Sequence, residues 1–311
     1  MSPDAPEAPS SLEPDFGSMG IYVDGRTANE LNELLKRKSA SAITSRDLHA
    51  LSCMHYLDDE PMREAAAHFR LADADANGGT PRTVLDFGAG YAGDARVLAD
   101  EYPGVLVTCV EVQRHIHDAA ARFTAMLASA HPSRGPPRCL HECLDILDDR
   151  ADDEEEPVAI PGAPFDHLMS VLVVLHIPRR DRLWRALAAA LKPGGTAYVE
   201  DYFALRPLTR EDLEDLEGPV VCPYLPTKEE YVASLERAGF EDVRWETMND
   251  RWGPFVEARL RRFREDAERN LRVHGEALRE ELDRFYRTVH ALFERGNQGG
   301  ARITFKKRGE A

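Results

Sequence analysis

No apolar run in this chain of 311 residues approaches the roughly 18 residues that a membrane span needs. The apolar stretch of a secretory signal is also missing. Met1 to Phe16 is rich in Pro, Ser, Ala and acids and reads as a disordered tail. Five cysteines, an odd number in a chain this long, give no disulfide framework and point to a reducing compartment, the cytoplasm. Cys139 and Cys143 lack a second pair at zinc-site spacing, so small buried thiols and no metal are expected. Basic charge is short too. The net charge is −16, and the basic stretches Arg259 to Arg264 and Lys306 to Arg308 are interleaved with acids or terminal. An acidic surface repels phosphate backbones, which argues against nucleic acid as a partner. No internal repeat is present.

What is present is enough chain to bury a full α/β core as one domain with insertions. The stretch Thr83 to Asp94 (TVLDFGAGYAGD) organises it. A buried strand ends in an acid, Asp86, and a turn with Gly88, Ala89 and Gly90 leads to a helix starting near Asp94. Glycines there let the backbone turn sharply and approach a ligand closely. The third glycine, Gly93, is misplaced for a dinucleotide fingerprint, and an acid precedes the first. Acid-x-Gly-x-Gly resembles instead the first motif of class I S-adenosylmethionine (SAM) methyltransferases.

Apolar patterning divides the chain into a tail (1–17), an N-terminal helical cap (18–80), a core (81–252), a helical lid (253–296) and a last strand with tail (297–311). In the cap, helices are expected at Ala28–Lys38, Ser45–Tyr56 and Pro61–Ala74. The core strands are expected at Leu106–Val112, Cys139–Leu147, Phe165–Leu175, Thr196–Tyr202 and Val243–Met248, with helices between them. The acidic stretch 148–164 reads as a solvated insertion. Phe165 to Leu175 is nearly continuous in apolar residues, as in a strand covered on both faces. Arg179–Leu191 reads as a helix stopped by Pro193-Gly194-Gly195, and Thr227–Ala238 as one with a capping box to Glu230. Strands alternating with helices imply a doubly wound, Rossmann-like α/β fold with a seven-stranded sheet. The final strand pair would be antiparallel, with the lid over the sheet's ligand-binding edge.

Glu111, about twenty residues past the glycine loop, is placed at a strand end where a carboxylate can accept ribose hydroxyls. Asp145, in Cys143-Leu144-Asp145-Ile146, is placed to meet an adenine amino group. With Leu191-Lys192-Pro193-Gly194-Gly195-Thr196, these segments occur in the order found in class I SAM methyltransferases. The resemblance spans about residues 80 to 305. It implies SAM as cofactor, S-adenosylhomocysteine as product, and contacts from Asp86, Gly88, Ala89, Gly90, Gly93, Glu111, Val112, Asp145, Ile146 and Ser170. It departs at Ala92, where many members have glycine, without expected cost.

A second set of segments narrows the resemblance: Ser170 to His176, Glu200-Asp201-Tyr202-Phe203, Tyr224 to Tyr231, Asp250-Arg251-Trp252 and Gly296 to Arg302. These are similar to the phosphoethanolamine and sarcosine/dimethylglycine N-methyltransferases, and Met54-His55-Tyr56 is similar to their N-terminal Ile-His segment. The resemblance implies His176 and Tyr202 at the acceptor; with Tyr56 they are the expected catalytic residues, and His55, Leu172, Trp252, Arg259 and Arg302 are expected at the substrate. Two departures matter. Leu172 stands where those families have an acid that can hold the acceptor ammonium. Val221 and Pro223 stand where the phosphobase enzymes carry an Arg and a Tyr for phosphate, so phosphoethanolamine is disfavoured. An apolar wall suits a soft, uncharged nucleophile, and aromatic faces can stabilise a sulfonium product. The pattern is therefore also compatible with thioether S-methyltransferases, such as the methylthiohydroxybutyrate enzymes of dimethylsulfoniopropionate synthesis. Sulfur is favoured over nitrogen; in both cases an arginine, Arg259 or Arg302, would hold the substrate carboxylate. A small molecule is the expected partner of a monomer or homodimer, with neither membrane nor nucleic acid. A non-catalytic SAM-binding protein and an NAD-dependent dehydrogenase are the rival classes; SAM, not NAD, should raise the melting temperature.

Overall fold

The computed structural model describes residues 25–75, 80–132, 135–147 and 158–309. The tail and most of the acidic insertion, 148–157, lie outside the described residues. The cap comprises α1 (Gly25–Arg37), α2 (Ser45–Ser52), α3 (Glu60–His68) and α4 (Ala72–Asp75). A capping box from Thr44 to Asp47 starts α2. The helix expected to Tyr56 stops at Ser52, leaving Cys53 to Asp58 as a strap, with Leu57 and Asp58 in the left-handed region. The helix expected over Pro61–Ala74 likewise breaks, with Arg70 at φ 55.

The core then runs β1 (Arg82–Phe87), α5 (Gly93–Glu101), β2 (Val105–Glu111), α6 (Arg114–Ala130), β3 (Cys139–Cys143), β4 (Phe165–Val171), α7 (Arg180–Ala189) and β5 (Leu191–Ala204). After it come α8 (Arg210–Glu217), α9 (Lys228–Arg237), β6 (Phe240–Thr247), α10 (Asn249–Glu265), α11 (Ala267–Arg295) and β7 (Gln298–Lys307). The strand order is β3-β2-β1-β4-β5-β7-β6, with β7 antiparallel to both its neighbours. This is the doubly wound seven-stranded sheet expected from the sequence.

Burial explains the central strands. Val84, Leu85, Val107, Leu168 and Val199 are inaccessible to solvent, because helices cover both faces of the parallel part. Two apolar layers result, one around Trp184, Phe165 and Phe240, the other around Phe69, Val84 and Leu98. Other features of the chain also differ from the sequence reading. β4 ends at Val171, four residues early, because Leu172 turns to φ 55 and Val174–His176 forms a 3₁₀ turn. The Pro193-Gly194-Gly195 stop lies within β5, where the β4–β5 register shifts and Gly194 takes φ 77. α8 was not anticipated; its capping box pairs Thr209 with Asp212.

Helices α10 and α11 form the insertion between β6 and β7, and α11 is kinked at Gly275. They pack on the sheet edge where parallel strands end. Trp252 of α10 lies against Gly300 so closely that an added Cβ would fall 2.0 Å from its ring. Tyr56, Tyr202, Trp252 and Leu292 share one apolar cluster there, joining cap, core and insertion.

Candidate active site

A cavity of about 1930 Å³ opens at the carboxyl ends of β1, β2, β4 and β5, where ligands bind in open α/β sheets. One side is built on the glycine loop. Gly88 and Gly90 adopt φ 72 and 53. The amides of Gly88 and Ala89 both donate to Val110 O, at 2.9 and 3.0 Å. A Cβ on Gly88 would come within 2.3 Å of Val173, so only glycine lets β4's exit pass under the loop. Ala92, expected to be harmless, sits at φ 54 as the N-cap of α5. A left-handed alanine costs about 1–2 kcal/mol, which corrects that expectation.

Glu111 ends β2 as expected. Its carboxylate accepts from Gly90 N at 3.1 Å and Gln113 N at 2.8 Å, and burial pushes its pKa up. Asp145 is exposed at the rim and accepts from Leu147 N at 2.9 Å, beside buried Ile146 and exposed Val112. Asp86, Gly88, Ala89, Gly90, Gly93, Glu111, Val112, Asp145 and Ile146 all line the cavity. Ser170 does not. It is fully buried and its hydroxyl donates to Phe87 O at 3.0 Å, tying β4 to the loop's entry.

Behind the loop lies a cluster that the sequence reading missed. Asp94, seen there only as a helix start, accepts from His49 Nε2 at 2.7 Å and pairs with His55 Nε2 at 2.9 Å. Burial alone would lower the His55 pKa, but the facing Asp94 and Cys53 hold it well above the usual range. Burial would raise the Asp94 pKa, yet the two imidazoles hold it far below. Asp86 is pushed well up by burial and by the neighbouring Asp94 charge. His55 therefore lines the cavity as a partner of Asp94, with Nδ1 3.3 Å from Tyr56 O.

The other side is aromatic and apolar. Tyr56, Leu172, His176 and Tyr202 line it together. The Tyr56 and Tyr202 hydroxyls are hydrogen-bonded to each other. Burial pushes Tyr56 up to about 12 and raises Tyr202 as well, so both stay protonated phenols. His176 donates from Nδ1 to Val221 O at 2.8 Å. Its burial lowers the pKa to about 4, so the ring is neutral at pH 7.

Three residues expected at the substrate lie elsewhere. Trp252 is fully buried in the insertion's packing, 5.0 Å edge-on from the Tyr56 ring, and does not line the cavity. Arg302 does not line it either. Its Nε donates to Glu200 and its Nη2 to Glu60, each at 2.9 Å, so its charge is neutralised within the fold. Arg259 donates to Met54 O at 3.4 Å and His55 O at 2.5 Å, and its guanidinium lies 4.6 Å from the Phe255 ring centroid. Its forks grip the strap rather than a ligand. The expected carboxylate clamp is thus corrected: both arginines are engaged by protein groups, partners too distant in sequence for spacing to indicate.

Comparison with known proteins agrees with this geometry. The sarcosine/dimethylglycine N-methyltransferase of Halorhodospira halochloris is 24% identical over 244 residues, covering 78% of this chain and 81% of that protein. Phosphoethanolamine N-methyltransferase 2 of Haemonchus contortus, solved with phosphomonomethylethanolamine and S-adenosylhomocysteine, superposes with a TM-score of 0.66 at 18% identity. The match covers 89% of this chain, which spans 59% of that one. The cyclopropane synthase MmaA2 of Mycobacterium tuberculosis superposes with a TM-score of 0.57 at 17% identity, covering 92% and 98% of the two chains. At such identities these structures carry the fold alone. The methyltransferase-domain family, however, matches residues 55–244, from the strap into β6 and more than half of the chain. The chain belongs to that family and is a methyltransferase.

Proposed function

We propose that this enzyme transfers the methyl group of SAM to a small carboxylate-bearing acceptor, and that the accepting atom is a thioether sulfur. The cofactor is SAM. The glycine loop would leave room for its chain, Glu111 would hold the ribose, and Val112, Asp145 and Ile146 would flank the adenine. Asp94, whose carboxylate stays ionised between the His49 and His55 rings, lines the side of the cavity that the cationic cofactor would enter.

The observation that carries the choice of sulfur is that, among the described residues, the acceptor side of the cavity (Tyr56, Leu172, Leu175, His176, Tyr202, Val220 and Phe285) presents no carboxylate. An ammonium acceptor entering there would lose its water without a counter-charge. It would also have to shed a proton, and His176, with its pKa lowered to about 4, is a weak base for that task. A thioether needs neither. The reaction is an in-line displacement in which the acceptor lone pair forms a bond to the methyl carbon as the bond to the SAM sulfur breaks. Alignment and exclusion of water supply the acceleration. Tyr56 and Tyr202 face the developing onium with neutral phenols, and His176 positions the acceptor.

The second reading, N-methylation of a small amine of the glycine, sarcosine or dimethylglycine type, is favoured by the likeness to the Halorhodospira enzyme. Turnover against 4-methylthio-2-hydroxybutyrate, methionine, glycine, sarcosine, dimethylglycine and phosphoethanolamine, read as S-adenosylhomocysteine release, separates the two. Turnover with a thioether alone is expected. Turnover with amines and not thioethers would reject the sulfur assignment.

A further inference from the structure

Among the described residues, two clusters bring thiol sulfur and imidazole nitrogen to metal-binding distance, and their surroundings differ. In the first, Cys53 Sγ and one nitrogen from each of His49 and His55 lie within 4.8 Å of one another. His49 and Cys53 stand one helical turn apart at the end of α2, where the Cys53 N–H donates to His49 O at 2.8 Å. His55 follows in the strap, with Cys53 Sγ 3.6 Å from its Nδ1 and 3.7 Å from its Nε2. A tetrahedral zinc site sets thiolate sulfur and imidazole nitrogen about 3.6 Å apart, so these donors need little movement to share an ion.

Charge separates the two clusters. Asp94 touches both rings of the first, 2.7 Å from His49 Nε2 and 2.9 Å from His55 Nε2. A carboxylate so placed orients metal-ligating imidazoles and raises their basicity. Close packing of α2 on α5 puts it there: a Cβ on Gly93, the residue before Asp94, would come 3.3 Å from His49 Cα. Two more acids act on His55, but burial pushes Asp86 towards its neutral form and Arg302 pairs with Glu200. A divalent ion with the Cys53 thiolate and Asp94 would therefore leave little net charge in this shielded corner, where the His49 and His55 side chains are 8% and 11% exposed. Without an ion, the His55 proton keeps that balance. His49, Cys53, His55 and Asp94 all line the cavity, which gives an ion its way in. The second cluster, Cys109, Cys139 and His141, has the reverse surroundings. The buried Arg96 cation acts on both of its thiols, and none of its donors lines the cavity.

We propose that His49, Cys53 and His55 are the ligands of a borderline-soft divalent ion of the zinc class, with Asp94 as its charge partner. A thiolate with two imidazoles selects such an ion over magnesium or calcium, which take oxygen donors. The sequence reading expected no metal because it weighed Cys139 and Cys143; these donors come instead from α2 and the strap, with Asp94 about forty positions on. Bound there, the ion fastens the strap that carries Tyr56 to the end of α2, and three protein ligands leave its fourth position towards the cavity. The assignment is independent of whether sulfur or nitrogen accepts the methyl group.

The test uses the full chain without an affinity tag, stripped by a chelator under reducing conditions. Zn²⁺ is titrated in calorimetrically, and Co²⁺ is titrated while the absorption spectrum is followed. The wild type should take up a single equivalent of either ion. Co²⁺ should give the near-ultraviolet charge-transfer band of a thiolate ligand, and Zn²⁺ should raise the melting temperature. Cys53→Ser should remove the band and weaken Zn²⁺ binding by about tenfold or more. Cys139→Ser, in the cluster beside Arg96, should leave both unchanged. No stoichiometric binding by the wild type would overturn the assignment, with no variant needed. A thiolate band that survives Cys53→Ser, or one that Cys139→Ser removes, would overturn it as well.

Discussion

Replacing Leu172 by aspartate tests the acceptor assignment at its most informative position. Leu172 lines the cavity at φ 55, with its N–H donating to Glu200 O at 2.8 Å. Leucine costs about 1–2 kcal/mol in that backbone, and aspartate tolerates it better, so the turn should survive. The wall changes instead. Loss of a half-buried leucine removes about 1–2 kcal/mol of contact with an apolar methylthio group. A carboxylate adds a charge-assisted contact of about 1.5–3 kcal/mol to an ammonium. Together these should raise the ratio of kcat/KM for dimethylglycine over 4-methylthio-2-hydroxybutyrate by about a hundredfold to a few thousandfold. Burial will hold the new carboxyl above its ordinary pKa, so the amine preference should grow as pH rises through that value. Competition between the two acceptors for methyl-labelled SAM, with the products separated, measures the ratio directly. Thioether turnover left intact in the variant would mean that Leu172 does not face the acceptor.

Three further outcomes follow from the cofactor side. Gly88→Ala places a Cβ 2.3 Å from Val173 at φ 72, costing about 2–4 kcal/mol from strain and overpacking; a melting temperature matching the wild type, and still raised by SAM, would contradict the loop geometry. Glu111→Gln should weaken SAM binding by about 1.5–3 kcal/mol, and calorimetry showing unchanged affinity would remove Glu111 from the ribose. The His55–Asp94 pair gives a two-sided pH dependence. Asp94, depressed below its ordinary value of 3.8, contributes stability above that value and loses it as pH falls through the folded pKa. His55, raised above 6.5, contributes fully below that value and loses its contribution as pH rises through the folded pKa. Melting temperature against pH should therefore fall on both flanks, and His55→Gln should flatten the alkaline one; an unaltered alkaline flank would show that His55 is not the ionised partner.

The sheet was legible because local signals agree with the fold. Apolar runs, the glycine loop and the acid ending β2 each fix a strand and its exit, and a doubly wound sheet leaves them little choice of order. What escaped the sequence reading depends on backbone turns and on distant partners. The apolar run from Phe165 to Leu175 gives no sign that Leu172 goes left-handed, because close packing of Val173 under Gly88 sets that turn. α8 did have a signal, the Thr209-x-x-Asp212 capping box, but its eight residues carry few apolar positions. The sequence offers Arg259 and Arg302 as cations for the substrate carboxylate, and the fold uses both elsewhere. The groups that engage them, the Met54 and His55 carbonyls for Arg259 and Glu60 with Glu200 for Arg302, lie about a hundred to more than two hundred positions away. Sequence showed the charge and not what satisfies it.

That misassignment has a mechanistic consequence. Arg259 on α10 holds the strap by two carbonyls, and the strap presents Tyr56 to Tyr202. The acceptor wall is therefore assembled from the cap, the core and the insertion at once, and releasing any one of them opens it to water. On the proposed reading, this also bears on turnover. A carboxylate beside the transferred methyl would form a desolvated ion pair with the onium product and delay its departure. Two neutral phenols, kept protonated by burial, offer lone pairs and ring faces to the developing charge with less affinity for the finished cation. A thioether enters uncharged and leaves as a cation. A wall that stabilises the cation only as it forms suits that change better than the fixed acid an ammonium acceptor needs, and Leu172 occupies the place where that acid would stand.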